Sequence, residues 1–165
     1  MKIFGIVGWK NSGKTGLMER LLCNISSLGY TVSTIKHAHH AFDIDQIGRD
    51  SFRHRTSGAQ EVLLASENRW ALMHELRDSP EPNLKSLLLK LSPVDLVLVE
   101  GFKNEPFLKL ESYRTETDKV PLARNITDIV AIASNTVHPN LNIPVFNLDN
   151  TIEIVDFILE KVNLK

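Results

Sequence analysis

Gly8-Trp9-Lys10-Asn11-Ser12-Gly13-Lys14-Thr15 is the stretch that decides the reading of this chain. It fits G-x-x-x-x-G-K-[ST], and each fixed position has a physical task. Gly8 and Gly13 permit backbone angles that strain other residues. The loop amides can then point inward and cradle an anion. A helix starting at the end of the loop adds the positive end of its dipole. Lys14 can reach β- and γ-phosphates, and the Thr15 hydroxyl can bind Mg²⁺.

The flanking residues separate this motif from an ordinary glycine-rich turn. Lys2 to Val7 is a short apolar run of the kind that forms a buried parallel strand. Leu17, Leu21, Leu22, Ile25 and Leu28 fall at helical spacing, and Gly29 is placed to stop that helix. Strand, loop and helix is the setting the motif requires. The deviant loop of the partition ATPases carries its extra lysine directly after the first glycine, where this chain has Trp9. Lys10 therefore reads as a solvated loop lysine.

With 165 residues the chain is expected to form a single domain over 1–165. A net charge of −1 and a pI near 6.6 argue against general nucleic-acid binding. No apolar run reaches membrane-spanning length, and residues 3–7 are too short for a signal peptide. Cys23 is the only cysteine, which excludes an internal disulfide and suits a reducing cytoplasm. It reads as a small packed hydrophobe on the first helix.

Tyr30 to Ile35 alternates and reads as the second strand; Lys36 to Gln46 is a polar, His-rich loop at its end. Ile47 to Ser57 has helical character. Glu61–Ala65 and Arg69–Met73, joined by Ser66-Glu67-Asn68, predict a β-hairpin. A helix is expected from Ser79-Pro80, with Leu84, Leu87, Leu88 and Leu91 on one face and Pro93 ending it. Val94 to Val99 is apolar on both faces and belongs inside a parallel sheet. Phe107 to Tyr113 alternates weakly and reads as an edge strand. Residues 104–125 read as an insertion, of which Arg114 to Lys119 is mobile or exposed. Ile129 to Ala133 and Ile143 to Phe146 are further strands. A last helix starts near Asn150 and Thr151 and carries Ile154, Val155, Ile158, Leu159 and Val162. The alternation predicts an α/β fold of three layers with a mostly parallel sheet, plus the hairpin and the edge-strand insertion.

Ligands of open α/β sheets gather at strand C-termini. Glu100 ends the Val94–Val99 strand, so it should stand near the loop, facing Mg²⁺ or an attacking water. Asp95 starts the strand and falls at the opposite edge. Lys103 can meet a phosphate or point to water. Lys36, His37, His39 and His40 crowd one loop. Two readings stay open there, metal capture and anion recognition, beside that of a plain polar loop. Asp43 and Asp45 could join a Mg²⁺ shell through water. Arg49 and Arg53 share a helix face at i, i+4 and could greet an anion, or simply face solvent; Asp50 can pair with Arg53.

Taken in order, four blocks resemble the family of molybdopterin-guanine dinucleotide biosynthesis protein B, MobB. They are Gly8 to Thr15, Thr34-Ile35-Lys36-His37, Asp50-Ser51-Phe52-Arg53-His54-Arg55 with Gly58-Ala59, and Leu98-Val99-Glu100-Gly101-Phe102-Lys103. The resemblance implies a P-loop NTPase fold that binds GTP and Mg²⁺ and hydrolyses GTP slowly. It implies a homodimer that assists the guanylyltransferase MobA, which attaches GMP to molybdopterin. Carried over by position, Gly8, Trp9, Lys10, Asn11, Ser12, Gly13, Lys14 and Thr15 hold the nucleotide, Thr15 and Glu100 the metal. Lys14 and Glu100 take the catalytic positions. Lys36, His37, Arg53 and Lys103 become candidates for the γ-phosphate or the anionic cofactor. No Asn-Lys-x-Asp guanine reader is present; Asn135, at the end of a late strand, can contact a base or cap a turn. Arg49, Arg53 and Arg55 are the arginines available for a transition state. Two other readings follow from the same residues. One is a metallochaperone GTPase using His37, His39 and His40. The other is a small-molecule kinase, for which residues 104–125 offer only Arg114 and Arg124 as lid arginines.

Overall fold

The computed structural model describes residues 1–38, 42–137 and 141–165. Two compact units make up the chain. One is Met1–His37 with Leu84–Lys165; the other is Ala38–Asn83.

The larger unit is built on a six-stranded parallel sheet. Its strands are β1 (Lys2–Val7), β2 (Val32–Lys36), β5 (Leu96–Glu100), β6 (Lys109–Tyr113), β7 (Ile129–Ser134) and β8 (Val145–Asn147), in the order β2-β5-β1-β6-β7-β8. Parallel strands need crossovers, and covering both faces of the sheet buries its inner strands. On one face α1 (Lys14–Ser27) and α4 (Thr151–Lys161) place Leu17, Leu21, Ile25, Ile154 and Ile158 against Phe4, Ile6, Leu96, Leu98 and Leu110. On the other, Leu84 of the short helix α3 (Leu84–Leu88) packs on Val97 and Val99. Alternate residues of β5 thus serve opposite faces, which is why that strand is apolar throughout.

The smaller unit contains α2 (Asp50–Thr56) and an antiparallel hairpin of β3 (Glu61–Ala65) and β4 (Trp70–His74). Arg55 ties its parts together. It pairs with Asp45 at 2.8 Å, Asp43 at 3.0 Å and Glu75 at 3.4 Å. Asp43 and Asp45, read from the sequence as possible contributors to a Mg²⁺ shell, and Arg55, read as a possible reaction arginine, are here partners of one another. In the hairpin Val62 and Met73 are buried, while Leu63, Trp70 and Leu72 lie together on the opposite, exposed face.

Several expected boundaries move. The helix anticipated from Ser79 is confined to Leu84–Leu88, and the one over 47–57 to Asp50–Thr56. Leu28 lies outside the buried stripe of α1, which includes Met18. Cys23 is exposed rather than packed. The largest correction concerns the strand at 107–113. β6 lies inside the sheet between β1 and β7, and all five of its residues are buried. Its charged residues disguised it. Lys109 Nζ donates to the carbonyls of Glu105 and Phe107 and stands 3.7 Å from Asp128. Glu111 accepts the amides of Leu122 and Ala123 at 2.8 and 2.9 Å. Charges so partnered can enter a core that an unpaired charge could not.

Candidate functional site

The loop between β1 and α1 is shaped by contacts on three sides. A side chain on Gly8 would collide with the carbonyl oxygen of Ser112, so the backbone of β6 closes directly on the loop. Ser112 Oγ also donates to the Ser12 carbonyl at 2.8 Å. Gly13, at φ 90°, caps α1 in a left-handed conformation that suits glycine. Trp9 Nε1 donates to the Val120 carbonyl at 2.9 Å, tying the loop to the segment after β6.

An open cavity of about 490 Å³ lies over this loop, lined by residues 10–16 together with Glu100 and Arg114. Lys14 Nζ donates to the carbonyls of Gly8 at 3.1 Å and Trp9 at 2.7 Å. Partial burial pulls its pKa below the ordinary lysine value; Glu100 opposes that shift, and Lys103 and Lys36 add to it. Glu100, at the end of β5, pairs with Lys36 of the neighbouring strand at 3.5 Å. Lys103 Nζ sits over the Trp9 ring, 4.5 Å from its centre. His37 follows Lys36; its amide donates to the Glu100 carbonyl at 3.0 Å and its ring lies 4.8 Å from that of Phe102. The expected residues Gly8 to Thr15, Lys36, His37, Glu100 and Lys103 therefore gather at one end of the sheet.

The donor set suits an anionic ligand and its cation. Lys36 pairs with Glu100, Lys14 lies in the field of Glu100, Lys36 and Lys103, Gly8 and Gly13 frame the loop, and Thr15 is exposed. The buried Ser12 hydroxyl has no hydrogen-bond partner among the described residues, an open valence at the loop's own wall.

Other expected residues make contacts of their own. Arg53 is on α2 of the smaller unit and reaches Asp50 at 3.9 Å. Asn135, just beyond β7, does not line the cavity. Its Nδ2 donates to both Glu116 carboxylate oxygens at 3.1 and 3.0 Å, and its Oδ1 accepts the Thr115 amide at 3.3 Å. Its amide group thus holds a turn. Asp95 is at the far end of β5, where it accepts Thr31 N at 2.8 Å and Thr31 Oγ1 at 2.6 Å; these bonds hold its pKa below the usual carboxylate value. His39 and His40 lie outside the described residues, so the three-histidine metal reading rests there on His37 alone. Among the described residues no three His, Cys, Asp or Glu side chains come together to hold a metal.

Three residues shape this end of the sheet in ways the sequence did not indicate: Ser112 closes on the loop, Arg114 lines the cavity, and Glu111 holds residues 122 and 123. All follow from β6 being an interior parallel strand. Had 109–113 been recognised as such, the rule that strand C-termini face the ligand would have pointed to them.

A parallel sheet with a glycine-framed loop between its first strand and helix defines a P-loop fold. The profile of the family described as molybdopterin guanine dinucleotide synthesis protein B matches residues 3–135. The molybdopterin-guanine dinucleotide biosynthesis adapter protein of Escherichia coli K12 is 33% identical over 160 residues, covering 96% of this chain and 91% of that relative. The protein of the same name from Haemophilus influenzae is 37% identical over 160 residues, covering 94% and 86%. The crystal structure of a MobB homologue from Bacillus stearothermophilus superposes with a TM-score of 0.73 at 26% identity, covering all of both chains. This chain belongs to the MobB family.

The buried carboxylate of Glu111 holds residues 122–124 beside the loop, and it can be tested. Glu111→Ala should cost about 2–4 kcal/mol by urea unfolding, since it strands two amides and leaves a cavity. Hydrogen exchange at Leu122 and Ala123 should quicken. Burial raises the Glu111 pKa above its ordinary value of 4.5. The folded state then holds that proton more tightly than the unfolded chain, so this part of the stability is present below pH 4.5 and fades as pH rises through the folded value. The gap between wild type and variant should narrow in that direction.

Proposed function

We propose that this chain is a GTP-binding accessory protein for molybdenum cofactor maturation. In this reading it assists MobA, the transferase that joins GMP to molybdopterin. Family membership supports the pathway, and the relatives' name supports an adapter role. The observation that carries the nucleotide reading is the cavity framed by residues 10–16, with Lys14 and Glu100 together in its wall. Molybdopterin, an anion, would be the second ligand; Lys36 and Lys103 are the cations that suit it.

The chain's own groups have separable tasks. Loop amides and Lys14 bind the phosphates, with Lys14 exchanging its two carbonyl partners for phosphate oxygens. Thr15 and Glu100 would hold Mg²⁺, which when bound neutralises charge on the β- and γ-phosphate oxygens. Glu100, kept in place by Lys36, also orients a water at the terminal phosphate. Charge stabilisation of this kind, with no arginine placed at the terminal phosphate, gives slow GTP hydrolysis.

The protein acts as a homodimer in this proposal. Leu63, Trp70 and Leu72 are 61%, 64% and 42% exposed on one hairpin face. An apolar face of that kind is what a second copy of the chain would cover. No described helix is long and apolar enough to cross a membrane. The exposed Cys23 thiol is compatible with the reducing cytoplasm we assign.

Three measurements test this reading. Lys14→Ala should abolish GTP binding by calorimetry while leaving the unfolding midpoint unchanged, and should remove the protein's stimulation of dinucleotide formation by MobA. Unaltered GTP affinity would refute the site. Glu100→Gln should lower the hydrolysis rate at least tenfold with a smaller change in GTP affinity; an unaffected rate removes Glu100 from the chemistry. Leu72→Lys should convert dimer to monomer in sedimentation velocity, with nucleotide affinity retained.

A further inference from the structure

Arg114 is the cation that the reading above leaves without a task. It follows β6 immediately and lines the loop cavity. A Cβ built on Gly13 would lie 3.1 Å from Arg114 Nε and 3.4 Å from Nη2, so the guanidinium rests on the loop itself. Among the described residues its head has no hydrogen bond or ion pair. Glu116 acts on it only as a nearby charge, its two carboxylate oxygens being hydrogen-bonded by Asn135 Nδ2. The same asparagine fixes the Thr115 amide. The hydrogen bonds of the turn are therefore made without the guanidinium, whose donors stay available to a ligand.

Strand order tells which part of a ligand it meets. β1, which leads into the loop, lies between β5 and β6. Glu100 and its partner Lys36 stand on the β5 side, and Lys103 follows β5. The metal-binding and terminal-phosphate end of the site lies there. Arg114 stands on the opposite flank, beyond Gly13. The charges that act on the Lys14 ammonium come from Glu100, Lys103 and Lys36, the β5 side of the site. A triphosphate whose last group lies toward Glu100 runs its remaining groups toward α1 and β6.

We infer that Arg114 binds the phosphates nearer the nucleoside, at the α and β positions, as a fixed cation of the loop and not as a finger on the terminal phosphate. The inference rests on the nucleotide reading of the site. The planar fork of an arginine can span oxygens of two adjacent phosphates, which a lysine ammonium cannot match. Because GDP and GTP share these groups, Arg114 contributes to the affinity of both, and at the α-phosphate, whose charge does not change as the terminal bond breaks, its binding is the same in ground and transition state. Such uniform binding lowers KM without changing kcat.

The test compares Arg114→Ala and Arg114→Lys with the wild-type chain, using GDP and GTP with Mg²⁺ in calorimetry and steady-state GTP hydrolysis. The side chain is exposed, so both variants should unfold at the wild-type midpoint. Arg114→Ala should weaken GDP and GTP by the same factor, about 10- to 100-fold. KM should rise accordingly with kcat unchanged, and Arg114→Lys should recover only part of the loss. Loss confined to GTP, or a fall in kcat with GDP affinity intact, would place Arg114 at the terminal phosphate and overturn the inference. So would unchanged affinity for both nucleotides. Failure of the wild-type chain to bind either nucleotide would instead remove the nucleotide reading itself.

Discussion

The approach of β6 to Gly8 is the constraint on which the site depends. The Ser112 carbonyl occupies the space that any Cβ at position 8 would fill, and Ser112 Oγ bonds to the Ser12 carbonyl. The loop is therefore seated on the end of a neighbouring strand, not only strung between β1 and α1. Amides that must all point at one anion gain from being held in place beforehand, since little ordering remains to be done when the ligand arrives. A slip of β6 by one residue would exchange its two faces and take Ser112 away from the loop. The register of an inner strand and the shape of an anion site are thus one feature.

Keeping β6 in that register demanded burial of a lysine and a glutamate. Neither is left alone. Lys109 is met by two carbonyls and Asp128, and Glu111 by two amides. Desolvation still shows, lowering one pKa and raising the other. The carboxylate has a use beyond the strand. It receives the first amides of the short 3₁₀ turn at Leu122–Arg124, two residues beyond Val120, whose carbonyl accepts Trp9. β6, the segment after it and the phosphate loop form one connected body. Charges that look unfavourable in a core account for how that body is held.

Much of this was readable in the residues. The β1–loop–α1 unit, the hairpin, β5, β7 and α4 were legible because each depends on local pattern: an apolar run, a period, a turn, a cap. Glu100 was legible because it ends an unmistakable buried strand. β6 was not, since Lys109 and Glu111 break its apolar pattern, and their partners come from Asp128 and residues 122–123. Periodicity cannot register a charge neutralised by a carbonyl or amide elsewhere in the chain. Ser112 and Arg114 were hidden along with the strand they end. Cys23 and Leu28 failed for a related reason. Leu28 falls at the C-cap, past the last turn of α1, and the buried stripe is made by Leu17, Met18, Leu21 and Ile25.

The distribution of charge around the loop bears on what kind of protein this is. The loop cavity is lined by two lysines, Lys10 and Lys14, and by Arg114, with Glu100 the one acid in its lining. Such a field favours holding a polyanion over driving it to react, because every cation acts on the ground state as well as on the transition state. Rapid hydrolysis calls for a donor aimed where charge develops, and that is the role an arginine finger fills. Arg55 is bound into its own acidic knot in the smaller unit, and Arg114 lies on the flank away from Glu100. A site with this balance is better suited to holding a polyanion than to driving its reaction, in keeping with a family whose relatives are named as adapters.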